Sequence, residues 1–134
     1  MKAALVTMNV KAGQCAENVQ YMKQQIKRAK EDGADLIVFP QNAVSGYLLG
    51  DVWLDEDFCR YADSFNDELI RESEDIAIVW GNIRYRNRRR FNAAFFAYQK
   101  KTHMRVKQNE LLPYIQDALY FEENPINSAI EYKE

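Results

Sequence analysis

At 134 residues, 47% of them hydrophobic, the chain is long enough for one domain around one core, and nothing in it suggests a second. No apolar run approaches the ~20 residues that span a bilayer, and the opening Met1-Lys2-Ala3-Ala4-Leu5 lacks a secretory leader's pattern, so a cytoplasmic protein is expected. The formal net charge of -2 hides an asymmetry: Asn82 to Asn109 holds nine of the 18 basic residues and no acidic one.

Lys2 to Met8 has the apolar content of a short buried strand, and Asn9 to Gln14, with Gly13, suits a loop. Val19, Met22, Ile26 and Ala29 recur at helical spacing on a Lys/Gln-rich background. They predict an amphipathic helix over 16–32, stopped by Gly33. Ala34 to Phe39 then reads as a buried parallel strand ended by Pro40, which has no N–H for a ladder. Together these make a βαβ unit with parallel strands.

Asp55-Glu56-Asp57 sets negative charge where a helix begins, and Phe58, Cys59, Tyr61, Ala62, Phe65, Leu69 and Ile70 supply apolar positions through Glu72. One helix fits, as do two broken near Ser64-Phe65-Asn66. Ile76 to Trp80 reads as a buried strand running on through Gly81 towards Tyr85, Asn87-Arg88-Arg89 as a turn, and Phe91 to Tyr98 as a strand. A third crossing is expected near Met104 to Val106. The fold class is α/β, a mixed sheet with the helices at 16–32 and 55–72 on one face and Gln41 at a strand's carboxyl end. That end is where open α/β folds hold ligands.

Phe39-Pro40-Gln41 followed by Ser45-Gly46-Tyr47 resembles the first catalytic loop of the carbon-nitrogen hydrolase (nitrilase) superfamily. The longer wording Ser45 to Leu54, with Asn9-Val10-Lys11-Ala12-Gly13-Gln14, is similar to the glutaminase domain of glutamine-dependent NAD synthetases. The resemblance covers residues 1 to about 113 and implies the front half of one nitrilase-like domain, a mixed sheet that is half of an α-β-β-α sandwich. It also implies an ammonia-supplying glutamine amidohydrolase with a Glu-Lys-Cys triad, in which the glutamate takes the thiol proton, the lysine stabilises charge and the cysteine attacks the amide carbon. Gln41 stands at the glutamate's place, and an amide cannot act as that base. Asn109, in Asn109-Glu110-Leu111-Leu112-Pro113, stands at the lysine's place. Lys107 is a weaker alternative, since two residues keep a strand face but move the amine by ~6.6 Å. Tyr47 belongs to the substrate loop, and Asn92-Ala93-Ala94 resembles the family's sheet-lining Tyr-Asn-Ala.

Cys15 and Cys59 have no CxxC spacing and read as free, small apolar fillers of helix faces. With all three triad positions substituted or absent, the chain alone is expected to be inactive, and the alternative is a non-catalytic binding or assembly module. Arg84, Arg86, Arg88, Arg89 and Arg90, with Tyr85, are a candidate anion or partner contact, so a nucleic-acid contact module using 84–107 is a further alternative. The acidic overall balance and the lack of a nucleic-acid motif speak against it. No cofactor and no metal site is expected. A homodimer is: a sheet covered on one face leaves the other apolar, with Ile76, Ile78, Val79, Phe95 and Phe96 expected there. A second copy's acidic tail (Asp117, Glu122, Glu123, Glu131, Glu134) would then meet the basic segment. The competing expectation is that 114–134 folds back over the sheet of its own chain.

Overall fold

Residues 1–107, 119–123 and 128–132 are described in the computed structural model; Asn109 lies outside them. The first helix, α1 (Cys15–Glu31), buries the expected stripe of Val19, Met22, Ile26 and Ala29 together with Cys15 and Asn18. Its end is a Schellman motif: Ala34 N–H donates to Ala29 O and Gly33 N–H to Lys30 O, with Gly33 at φ +70°. The second, α2 (Glu56–Glu72), is one uninterrupted helix, because Phe65 and Asn66 are part of its buried face. Asp55 caps it by accepting from the N–H groups of Asp57 and Phe58.

The strands are β1 (Ala3–Leu5), β2 (Leu36–Val38), β3 (Ala77–Arg86), β4 (Arg89–Tyr98) and β5 (Lys101–Val106), which form one sheet in chain order. β1 and β2 pair parallel, as do β2 and β3, whereas β3, β4 and β5 are antiparallel neighbours. β2 is therefore interior, not an edge. β1 is shorter than the predicted 2–8 because β2 gives way to Phe39-Pro40, and Val6 N–H to Val38 O is the last rung. Each antiparallel connection is a two-residue turn, Asn87-Arg88 and Gln99-Lys100, with positive φ at both positions. That backbone matches the twist of a hairpin.

Both helices cover one face of the sheet: α1 packs on α2, and α2 on β3. Trp80 marks this face, stacking on its cross-strand partner Phe95 at 5.2 Å and donating its indole N–H to Asn66 on α2. Asn82 follows two residues on and donates to Asn66 Oδ1 and Ala62 O, both 2.8–2.9 Å away. Asp63 completes the layer, accepting from Asn66, from Tyr85 N–H and from the guanidinium groups of Arg84 and Arg86. These buried groups supply one another with partners, Asn82 Oδ1 excepted, and an unpartnered buried polar group is costly.

Register corrects the expected composition of the opposite, open face. Ile78 and Phe95 share the side of Trp80, and with Ile76 they are fully buried beneath the helices. Only Val79 and Phe96 of the expected five stand on the open face, and both are half-buried. The tail reaches Phe96 from the same chain. Tyr132 packs edge-on against Phe96 and Tyr98 at 5.2 and 5.0 Å and donates its hydroxyl proton to Asp35 O. Glu122 pairs with Arg89 at 2.6 Å, and Phe121 packs on Trp53 of the Gly50–Leu54 3-10 helix. The described acidic tail residue that meets the basic hairpin thus belongs to the same chain. Among the described residues no helix is long and apolar enough to cross a membrane.

Candidate functional site

Past its last ladder position, β2 is carried forward by two backbone bonds, Phe39 N–H to Val79 O and Gly81 N–H to Pro40 O. This lays residue 41 directly over Gly81. A Cβ on Gly81 would stand 2.6 Å from Gln41 Cα and 2.5 Å from Asn42 N, so only glycine admits the approach. Asn42 turns the chain at φ +48°, a left-handed conformation that asparagine tolerates. Its side-chain amide is buried without a hydrogen-bond partner.

The loop that follows is tied to the loop after β1. Gly13 N–H donates to Ser45 O, and Gly46, at φ +77°, lies where a Cβ would come 2.7 Å from Ala12 Cα. Asn18, buried in the first turn of α1, donates to Lys11 O and Val44 O and accepts from Lys11 N–H. One side chain thus joins both loops to the helix.

Gln41 is exposed between two cavities. The larger, about 410 Å³, lies on the open face of the sheet, with Phe39, Val79, Gly81 and Ala94 as its floor and Gln41, Asn92, Arg105 and Lys107 around it. The smaller, about 280 Å³, is lined by Val10, Ala12, Gln41, Asn42 and Tyr47. Of the residues singled out in the sequence, Gln41 and Lys107 thus meet in one cavity, and Tyr47 shares the other with Gln41. Lys107 is exposed at the rim, its backbone N–H donating to Asn92 O at 2.7 Å.

Sequence reasoning missed Arg105 and Gly81. The signal for Arg105 was present, because a two-residue spacing from Lys107 places both on one face of an extended chain. Gly81 carried no comparable sign, since its role depends on a loop from another strand.

Neither thiol lines either of these cavities. Cys15 and Cys59 are free and buried. Burial pushes the Cys15 thiol up to about 11 and also raises that of Cys59, whose Sγ donates to Trp53 O. The five hairpin arginines line neither cavity either. Arg84 and Arg86 meet Asp63, Arg88 meets Glu56, Arg89 meets Glu122, and Arg90 donates to Tyr120 O. Burial lowers the pKa of Arg84, against the pull of Asp63. Among the described residues no group of three or more metal-ligating side chains occurs.

The stretch that folds into this sheet, its two helices and the strand-end loop, residues 2–103, matches the family model of carbon-nitrogen hydrolase. The chain belongs to the carbon-nitrogen hydrolase family. In sequence it is similar to the glutamine-dependent NAD(+) synthetase of Acinetobacter baylyi, 33% identical over 82 residues, which are 61% of this chain and 15% of that protein. The synthetase of Mycobacterium bovis is 29% identical over 91 residues, 66% of this chain and 13% of that one.

In structure it resembles the glutamine-dependent NAD+ synthetase of Acinetobacter baumannii solved with ADP, at a TM-score of 0.82 and 26% identity over 97% of this chain and 25% of the other. It also shares the fold of an amidase from Nesterenkonia sp. AN1, at a TM-score of 0.82 and 20% identity over 94% of this chain and 49% of that one. That amidase was solved with acrylamide, as a double mutant exchanging a glutamate for glutamine and a cysteine for alanine. This chain spans about a seventh of the curated relatives' length and a quarter to a half of these solved structures.

Proposed function

We propose that this chain is part of a glutaminase-type domain related to that of glutamine-dependent NAD synthetases, and that on its own it holds a small amide or acid at the Gln41 cavity without hydrolysing it. One observation carries the reading: the strand-end position that resembles the family's general base bears an amide, in a cavity that neither thiol reaches. Glutamine cannot take a proton from a nucleophile, and removing members of a catalytic unit removes most of its rate acceleration. The amidase double mutant, with glutamine and alanine in place of a glutamate and a cysteine, was solved with a small amide, which supports retention without turnover.

Ammonia release from glutamine and from propionamide tests it. The chain is expected to release none above buffer. Release that Cys15→Ser or Cys59→Ser abolishes would overturn the proposal, because it would place a working nucleophile where burial argues against one.

Assembly with a second copy is a further reading, favoured by Leu5. It pairs with Val38 on the open face and is 80% exposed. Sedimentation at tens of micromolar, at low and high salt, decides: self-association weakened by Leu5→Lys supports it, and a folded monomer under both conditions rejects it.

A further inference from the structure

Charge around the larger cavity is one-sided. Among the described residues that line it, Arg105 and Lys107 are cationic and none is acidic. The Arg105 guanidinium donates to Met104 O and to the carbonyl and hydroxyl of Ser128, acceptors that carry no charge. A guanidinium has five N–H groups, so these three bonds leave donors over. Gln41 adds an amide that both donates and accepts and is neutral at every pH of interest. The floor of Phe39, Val79, Gly81 and Ala94 is apolar and suits a short aliphatic body.

Resting on the reading of this cavity as a small-molecule site, we infer that it selects a carboxylate over the neutral amide of the same shape. An ionised acid gains charge-assisted hydrogen bonds from Arg105 and attraction from Lys107, neither of which an amide obtains in full. It also accepts from the Gln41 side-chain NH₂. A glutamate at position 41 would replace that bond with like-charge repulsion, so the exchange that removes a general base also changes which member of an amide–acid pair the cavity favours. The ligand class is therefore a short aliphatic carboxylate, the acid counterpart of an amide substrate.

Propionate and propionamide differ in charge but scarcely in shape, and titrating each into the ¹⁵N-labelled full chain, at ionic strength matched with sodium chloride, reads the selection directly. Both should move the backbone amides of Gln41, Gly81 and Lys107, with propionate tighter by about tenfold. Arg105→Gln should abolish the preference, Lys107→Gln should weaken propionate binding alone, and Gln41→Glu should turn the preference towards propionamide. Well-dispersed spectra of all three variants establish that each is folded. Equal or tighter binding of propionamide by the unaltered chain overturns the inference but leaves the small-molecule reading standing. A propionate preference untouched by both Arg105→Gln and Lys107→Gln also overturns it. If neither compound moves these amides, the reading of the cavity fails, and the selection with it.

Discussion

The two faces of the sheet treat polar groups in opposite ways. Beneath the helices, Asp63, Asn66, Trp80, Asn82 and Arg84 are joined in one buried network, in which Asn82 Oδ1 is the only fully buried side-chain atom without a partner among the described residues. On the other side Gln41 is exposed, and among the described residues Arg105 donates to neutral acceptors alone and Asn42, at the loop's base, is buried with no partner. A connected network rigidifies a core, whereas donors and acceptors left over in a cavity are what a ligand can use. The contrast assigns stability to the first face and recognition to the second.

Substitutions can break or sharpen that contrast. The largest effect should come from Asp63→Ala, which strips a buried carboxylate from two arginines, an amide and a backbone N–H. A loss of about 3–4 kcal/mol in urea unfolding is expected, with the amides around Gln41 little changed in a spectrum of the folded fraction. A loss below 1 kcal/mol would mean that the helix-side network is not a unit.

Alkaline pH should act next. The Cys15 thiol is held near 11 against an ordinary 9.0, so the unfolded chain releases its proton first. The stability that this burial contributes is complete below pH 9 and is lost as pH rises from 9 towards 11, by about 2–3 kcal/mol. Denaturant midpoints measured across that window should fall less steeply in Cys15→Ala. Parallel pH slopes would remove the thiol from the account.

Gly81→Ala probes the junction of the two faces. Its methyl group would overlap the backbone of Gln41 and Asn42, so a cost of about 2 kcal/mol is expected, with the amide shifts concentrated in residues 39–46. The smallest change is Gln99→Gly. Gln99 holds φ +51° in a two-residue turn, and relieving that strain should raise stability by about 1 kcal/mol, detectable as a higher Tm with no effect on ligand titrations.

Which features were legible in the sequence follows from the range of the forces involved. Helical periodicity, the stop at Gly33 and the Pro40 strand end are local, and the elements appear where those signals lie. The assignment of Ile76, Ile78 and Phe95 to the open face failed because it set Ile78 with Val79 and Phe95 with Phe96 on one side, whereas successive strand residues face opposite ways; the Trp80 and Asn82 bonds to Asn66 show which side meets the helices. The 3-10 helix around Trp53 has no periodic signal in the sequence, for it is organised by packing on Phe58 and Phe121. At the site, Gln41 was found through a motif and a strand terminus. Arg105 and Gly81 emerged only when β3 and β5 brought them to the same cavity.

Asn18 sets the terms on which the site can open. Its side chain fastens residue 11 and residue 44 to the first turn of α1, so the loop beside Gln41 is no independent flap. Parting the two loops requires unfastening the start of the helix, a sub-global event rather than a local fluctuation. In hydrogen exchange the amides of Lys11, Gly13 and Gly46 should accordingly exchange at one common rate, and ligand entry that needs this opening would be limited by the same step.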